Sequence, residues 1–426
     1  MRIRIGKRRP RVALAAVALL AATVTAVAAC SSGSAASGGG GQAAGGTQAA
    51  GGTIKLGLIT DLTGPYSSSF TSSALGLAAY VKLVNAAGGI NGEKLSYVTA
   101  DTTSTITGAL TAAQELVQQD HVFAVIADSA VFSGAAAYLL QQGVPAVGAA
   151  IDGPEWNNPK NTNLFASTGT TDYSAVGSTA GEFMKAQGVT SCGSIGYPNA
   201  TAGPDAVGIV KSCVAAGLKN GYLNTQVPAG STDVGPIALA IQKSGVNGIY
   251  LPIVVSTAFS LFAALKQLGV KLKVAMIATG YGGDLLASSA AVQAGQGYLF
   301  TSIGQPVEMH TPATEKQVSA LAAVGVTTTP TFAEQESYIA GAAVAAGLRA
   351  AGKDPTQASF TKALRNIHNF NADGLLSPGA VDFSNFKQYA AGGGCIFAAQ
   401  LEGKAFIPVK GTPVCGHTIP GLTTGS

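Results

Sequence analysis

The side chains with most chemistry to offer are five cysteines and four histidines, and their spacing points to cross-links rather than catalysis. His121, His310, His368 and His417 are scattered along the chain without metal-ligand spacing, and each reads as a solvated or packed side chain. No GxSxG elbow, phosphate-binding loop or HExxH pair occurs, so an exported enzyme has no motif behind it, and no cofactor is implied. Cys192, Cys213, Cys395 and Cys415 form an even set, which in an exported chain reads most simply as two disulfides. Of the three connectivities, the pairs Cys192 with Cys213 and Cys395 with Cys415 close short local loops. The first would join a strand to the next helix, and the second would span a hairpin near the C-terminus. Four free buried thiols are the alternative; a zinc site lacks any CxxC or Cys/His spacing.

Export is legible around Cys30. Arg2, Arg4, Lys7, Arg8, Arg9 and Arg11 precede an apolar run over 12–27, the layout of a secretory signal over 1–29. The run is short and alanine-rich for a membrane span. Val27-Ala28-Ala29-Cys30 resembles the lipobox of bacterial lipoproteins, whose cysteine is diacylated and becomes the new N-terminus. That resemblance implies a protein lipid-anchored to the outer face of the cytoplasmic membrane, since two acyl chains anchor stably. An ordinary signal cleaved at Ala-x-Ala, with Cys30 incidental, is the alternative. Residues 30–52, rich in Ser, Gly, Ala and Gln and free of charge, read as a flexible tether.

Six of the 25 basic residues belong to the signal, which leaves 19 against 21 acidic residues in the remainder. The basic balance therefore gives no support for nucleic-acid binding. About 370 residues exceed one hydrophobic core and suggest two domains.

Those domains must be α/β. Strands are predicted over 54–59, 95–100, 122–127 and 145–149, with helices over 72–87, 108–119 and 133–142 between them. The first helix carries Leu77, Val81 and Val84 along one face and stops at Gly88-Gly89. The rhythm restarts after 168: strands over 193–197, 248–251, 274–278 and 297–300, with helices over 203–216, 257–268 and near Asp284. Residues 311–368 are again helical, including 332–350 and 359–367. Short strands alternating with helices argue for right-handed crossovers and parallel sheets, hence two α/β lobes.

The stretch from Ile54-Lys55-Leu56-Gly57 to Leu62-Thr63-Gly64-Pro65, then Asn85-Ala86-Ala87-Gly88-Gly89-Ile90-Asn91-Gly92, Leu95 and Asp101, resembles the leucine/isoleucine/valine-binding type of periplasmic solute-binding protein. The resemblance follows element order through the chain, with most of its specificity near residues 54–101. It implies a type I fold of two Rossmann-like three-layer lobes, both discontinuous, over 53–168 plus 303–388 and 169–302 plus 389–426, with crossovers near 168, 302 and 388. It also implies a receptor of an ABC importer whose partners are a permease and a small-molecule ligand: an amino acid, amide, small carboxylate or aromatic acid. The same fold serves as a sensory ectodomain for a signalling partner, which is the alternative.

Ligands of open parallel sheets bind beyond the carboxyl ends of the strands, here 61–70, 128–133, 149–152, 197–203, 252–257 and 279–284. In the family the first three loops hold the ligand's carboxylate and ammonium; Ser129 falls on its serine, and Ala149 and Ala150 on its main-chain contacts. The chain departs from the pattern with Ile151-Asp152 in the third loop, Tyr197-Pro198-Asn199 in the fourth, and Thr279-Gly280-Tyr281-Gly282-Gly283-Asp284 where an acid would meet the ammonium. Asp152 or Asp284 could supply that acid, and a ligand without a zwitterionic head fits equally. Tyr66, beside a Gly-Pro turn, is placed to cover a ligand or to lie on the surface. Ser129 could cap the following helix, and Tyr281 could pack. Trp156 reads as a loop anchor.

Overall fold

The computed structural model describes residues 52–169, 172–386 and 394–425. The signal over 1–29, Cys30, the tether as far as Gly51 and the expected crossover near 388 lie outside the described residues.

The first sheet is built on β1 (Thr53–Thr60), an apolar strand buried along nearly its whole length. A strand buried on both faces needs helices on both, which parallel crossovers supply. β1 is followed by the short α1 (Ser67–Phe70) and by α2 (Ser73–Ala86). Then come β2 (Lys94–Asp101), α3 (Ile106–Gln118), β3 (Ala124–Asp128), α4 (Ser133–Gln142), β4 (Ala146–Gly148) and β5 (Leu164–Ala166). All pairs are parallel, in the order β2-β1-β3-β4-β5.

The second series starts with β6 (Ala175–Gly177), α5 (Thr179–Ala186), β7 (Ser191–Ile195), α6 (Ala202–Ala215), β8 (Lys219–Asn224) and α7 (Gly235–Ser244). It continues with β9 (Gly248–Leu251), α8 (Val255–Gln267), β10 (Val274–Ile277), α9 (Gly283–Ala287), α10 (Ser289–Ala294) and β11 (Leu299–Ser302). The helices α11 (Pro312–Ala322), α12 (Phe332–Ala351) and α13 (Gln357–Arg365) follow. Last are β12 (Cys395–Glu402), β13 (Ala405–Pro408), β14 (Val414–Cys415) and β15 (Thr418–Thr423). The second sheet runs β13-β12-β11-β10-β9-β7-β8, with β12 antiparallel to both its neighbours and the other pairs parallel; β6 and β15 form a separate two-stranded ladder.

The helices after residue 311 return to the first sheet. Tyr338, Ile339, Val344 and Leu348 of α12 share a core with Ile54, Leu56, Leu77 and Tyr80. α12 is held by a capping box: Glu334 N–H donates to the Thr331 hydroxyl (3.1 Å), and Thr331 N–H donates to the Glu334 carboxylate (2.8 Å). It packs so closely on α2 that a Cβ on Gly76 would lie 2.1 Å from the Glu334 carbonyl oxygen.

The motif over 85–92 is a fastening. The Asn85 amide exchanges two 2.8 Å hydrogen bonds with the Leu95 backbone, and the Asn91 amide donates to the Leu348 and Gly352 carbonyls at the far end of α12. Gly89 sits at φ +92°, where a side chain is strained, and a Cβ there would meet the Glu93 carbonyl at 2.1 Å.

Three elements carry no clear sequence signal: α5, α7 and the edge strand β8, whose Lys219, Asn220 and Leu223 are exposed and break any alternation. Cys192 is bonded to Cys213, joining β7 to α6, and Cys395 to Cys415. The second bond does not span a hairpin: the hairpin is β12–β13, and Cys415 lies on β14, which returns to pair with the start of β12. Pro413 and the turn at Gly411 separate Cys415 from the hairpin's second strand, a break that spacing alone does not reveal. Among the described residues no helix is long and apolar enough to cross a membrane.

Candidate functional site

β1 lies between β2 and β3, and β7 between β8 and β9, so each sheet has a point where successive crossovers diverge. Loops leaving the strand ends there splay apart and open a crevice. The crevices of the two sheets share one cavity of about 290 Å³. Tyr66, Phe70 and Ala130 reach it from the first sheet's loops, Phe332 and Glu336 from α12, and Tyr197, Asn199 and Ile253 from the second sheet's loops. The cavity continues beneath the second sheet past Ile209, Tyr250, Ile396 and Phe397. Its lining is mainly apolar, as ligand sites usually are. Tyr66 and Tyr197 both line it, with ring centroids 6.5 Å apart. Tyr197 is held from behind: its hydroxyl accepts from Val254 N–H (3.1 Å) and donates to the Thr257 hydroxyl (3.3 Å).

Behind the first wall sits Asp61, fully buried after β1. Its carboxylate accepts from the Ser129 hydroxyl (2.8 Å), Ala130 N–H (2.8 Å) and the Thr102 hydroxyl, tying the loops after β1, β2 and β3 together. Burial pushes its pKa up and these three donors oppose the shift. Asp101 does the same for the adjacent turn, accepting from Leu62, Thr63 and Thr103 N–H groups and the Thr63 hydroxyl.

The expected site residues divide accordingly. Tyr66 and Tyr197 line the cavity. Ser129 does not: its proton goes to Asp61 and its oxygen accepts from Val131 N–H (3.1 Å). Ala149 and Ala150 are buried outside the lining, although the Ala150 carbonyl accepts from the Tyr173 hydroxyl (3.1 Å). Asp152 is turned away from the cavity; it accepts from Ser133 N–H at the start of α4 and from the Trp156 indole (2.7 Å). Trp156 is buried against Phe132, ring centroids 5.1 Å apart, and does anchor its loop. Tyr281 is also placed elsewhere. Its hydroxyl donates to Glu308 (2.6 Å) and accepts from Val307 N–H (3.0 Å), and its ring packs on Phe406. Asp284, in the first turn of α9, is exposed and outside the lining.

The acids that do reach the cavity were not singled out by sequence. Glu336, 2% exposed, lines it from the second turn of α12, and Asp128, 1% exposed, stands behind it at the end of β3. Burial raises both pKa values: Asp128 is pushed up to about 8, with the Asp61 charge adding to the rise and the Ser73 and Glu336 side chains opposing it, while the Asp128 charge raises Glu336 further. Asp205, in the first turn of α6, also lines the cavity, and burial raises its pKa to about 6. Between them, the Tyr173 hydroxyl is pushed up by burial and then by the charges of Asp205 and Glu336, among others. The one sequence signal for Glu336 is its place in the polar stretch Glu334-Gln335-Glu336-Ser337, which opens the otherwise apolar run of α12. Among the described residues no group of three or more His, Cys, Asp or Glu side chains is placed to hold a metal ion.

Residues 53–405 match the periplasmic binding protein family, and the chain belongs to it. No curated protein sequence matches the chain. Solved structures share its type I fold at low identity. A fatty acid ABC transporter substrate-binding protein from Thermomonospora curvata is 21% identical with a TM-score of 0.71, covering 86% of this chain and 93% of its own. A branched-chain amino acid transporter substrate-binding protein from Streptococcus pneumoniae, in complex with isoleucine, is 18% identical with a TM-score of 0.68, covering 86% and 99%. An ABC transporter solute-binding protein from R. palustris, in complex with 4-hydroxybenzoate, is 18% identical with a TM-score of 0.67, covering 86% and 97%.

Proposed function

We propose that this chain is the extracytoplasmic receptor of an ABC importer. In this reading it is anchored through a lipidated Cys30 and captures a small amphipathic molecule between lobes 53–168 plus 303–388 and 169–302 plus 389–426. The observation that carries the reading is the mainly apolar cavity shared by the diverging loops of both sheets and lined from the two sides by Tyr66 and Tyr197. Ligand contacts to both lobes would favour the closed arrangement, and only differential affinity for it can drive closure. The chain would then present the closed form to a membrane permease.

The similar structures bear on cargo only by their diversity: one is a fatty acid receptor, one holds isoleucine and one 4-hydroxybenzoate. Leucine-type recognition is not carried over, because the residues aligned with that role are spent on structure. Ser129 serves Asp61, and Asp152 serves α4 and Trp156. Screening the full chain by thermal shift and calorimetry against amino acids, amides, amines, fatty acids and aromatic acids tests the reading. Saturable one-to-one binding of at least one class, with a smaller radius of gyration in solution scattering, is the expected result. Failure of every class to bind or to compact the chain would sink it.

A further inference from the structure

The cavity is acidic where a ligand would be held and contains nothing to balance the acids. Asp172, Asp205 and Glu336 line it, and among the described residues no Lys, Arg or His does. Glu336 is the telling group. It is buried and faces the cavity, and neither of its carboxyl oxygens, nor either of Asp128's, has a hydrogen-bond partner in good geometry. Buried polar groups in native proteins are nearly always satisfied, and an exception at a cavity wall marks a place for something else. The titratable groups acting on the pair are Asp61 from the loop after β1, Tyr173 from the segment before β6, and the two carboxyls themselves. None is a cation. The remaining walls, including Phe70, Phe332, Ile303, Ile209, Ile396 and Phe397, are apolar.

We propose that the Asp128–Glu336 pair is a cation subsite, and that the ligand is an amphipathic amine or amidine with its apolar part along the cavity. The inference rests on the receptor reading above. A carboxylate ligand would add negative charge beside buried acids with no basic side chain to receive it. A cation does the reverse: it replaces the proton that the empty pair must hold, so binding releases a proton and tightens as the pH rises. While one proton leaves per ligand, affinity increases by roughly tenfold per pH unit, up to the raised pKa of the pair. The alkylammonium keeps its charge throughout, as its pKa lies near that of lysine, about 10.

The test uses three probes matched in length, n-hexylammonium, hexanol and hexanoate, titrated calorimetrically into the full chain at pH 6, 7 and 8. Hexylammonium should bind at least tenfold tighter than hexanol at pH 8 and hexanoate weakest, with release of close to one proton shown by buffers of different ionisation enthalpy. Glu336→Gln should abolish the pH dependence for hexylammonium and weaken it by tenfold or more, leaving hexanol unchanged. Should that variant fail to fold, the wild-type infrared carboxylic-acid band decides, since hexylammonium must reduce it and hexanol must not. Hexanoate binding best, or hexylammonium binding without proton release, overturns the cation subsite while leaving the receptor standing. Binding of none of the three also overturns it, and the wider ligand panel judges the receptor separately.

Discussion

Asp61 and Asp128 follow adjacent strands of one sheet, are equally buried, and are treated in opposite ways. Asp61 has three donors and fastens three loops; Asp128 has only the Ser73 hydroxyl and another acid, Glu336, to oppose its burial. A buried carboxylate with its hydrogen bonds made is a structural bolt, whereas one left with a like charge stores free energy that a bound cation can release. Burial alone does not distinguish the two roles. The supply of donors does.

The sharpest way to break this contrast is Asp61→Ala. It strands the Ser129 and Thr102 hydroxyls and Ala130 N–H, and should cost about 3–5 kcal/mol, read from urea unfolding with the single tryptophan, Trp156, as probe. Replacing Cys192 and Cys213 together by alanine should cost about 3 kcal/mol in the same assay, because their bond closes a loop of 21 residues.

A smaller effect separates the bolt from the store. Both members of the Asp128–Glu336 pair have raised pKa values, so their contribution to stability is complete below the unfolded values near 4 and is lost as the pH climbs toward about 8. Between pH 5 and 7 the unliganded wild type should therefore lose about 2 kcal/mol more than Glu336→Gln. Parallel loss in both proteins would show that the pair is not charged on that scale. Smallest is Tyr281→Phe. Removing the hydroxyl that links Glu308 and Val307 should cost about 1 kcal/mol and leave ligand affinity unchanged. A tenfold loss of affinity would place Tyr281 in the site after all.

The fold was largely legible because its signals are local. Apolar strands, glycine-stopped helices and the 85–92 motif each report on a few neighbouring residues, and the motif proves to be a clasp between β2, α2 and the end of α12. Tyr66 and Tyr197 were legible for the same reason, standing at strand ends whose position the rhythm fixes. Asp152, Tyr281 and Asp284 stand at strand ends too, yet face away, because orientation depends on partners such as Trp156 and Glu308 that lie elsewhere in the chain. Glu336 was hidden most deeply. It sits in a helix 208 positions after Asp128, and only the return of α12 onto the first sheet brings them together. α5, α7 and β8 escaped notice because short, edge-lying elements bury too little to impose a pattern.

Cys395 lines the cavity and is bonded to Cys415 on β14. Part of the cavity's wall is thus covalently stapled by a bond that only an oxidising compartment maintains. A newly made chain, still surrounded by reductants, would carry this wall with two separate thiols. Maturation of the site is thereby tied to arrival at the place of work, so that geography, as well as sequence, completes the receptor.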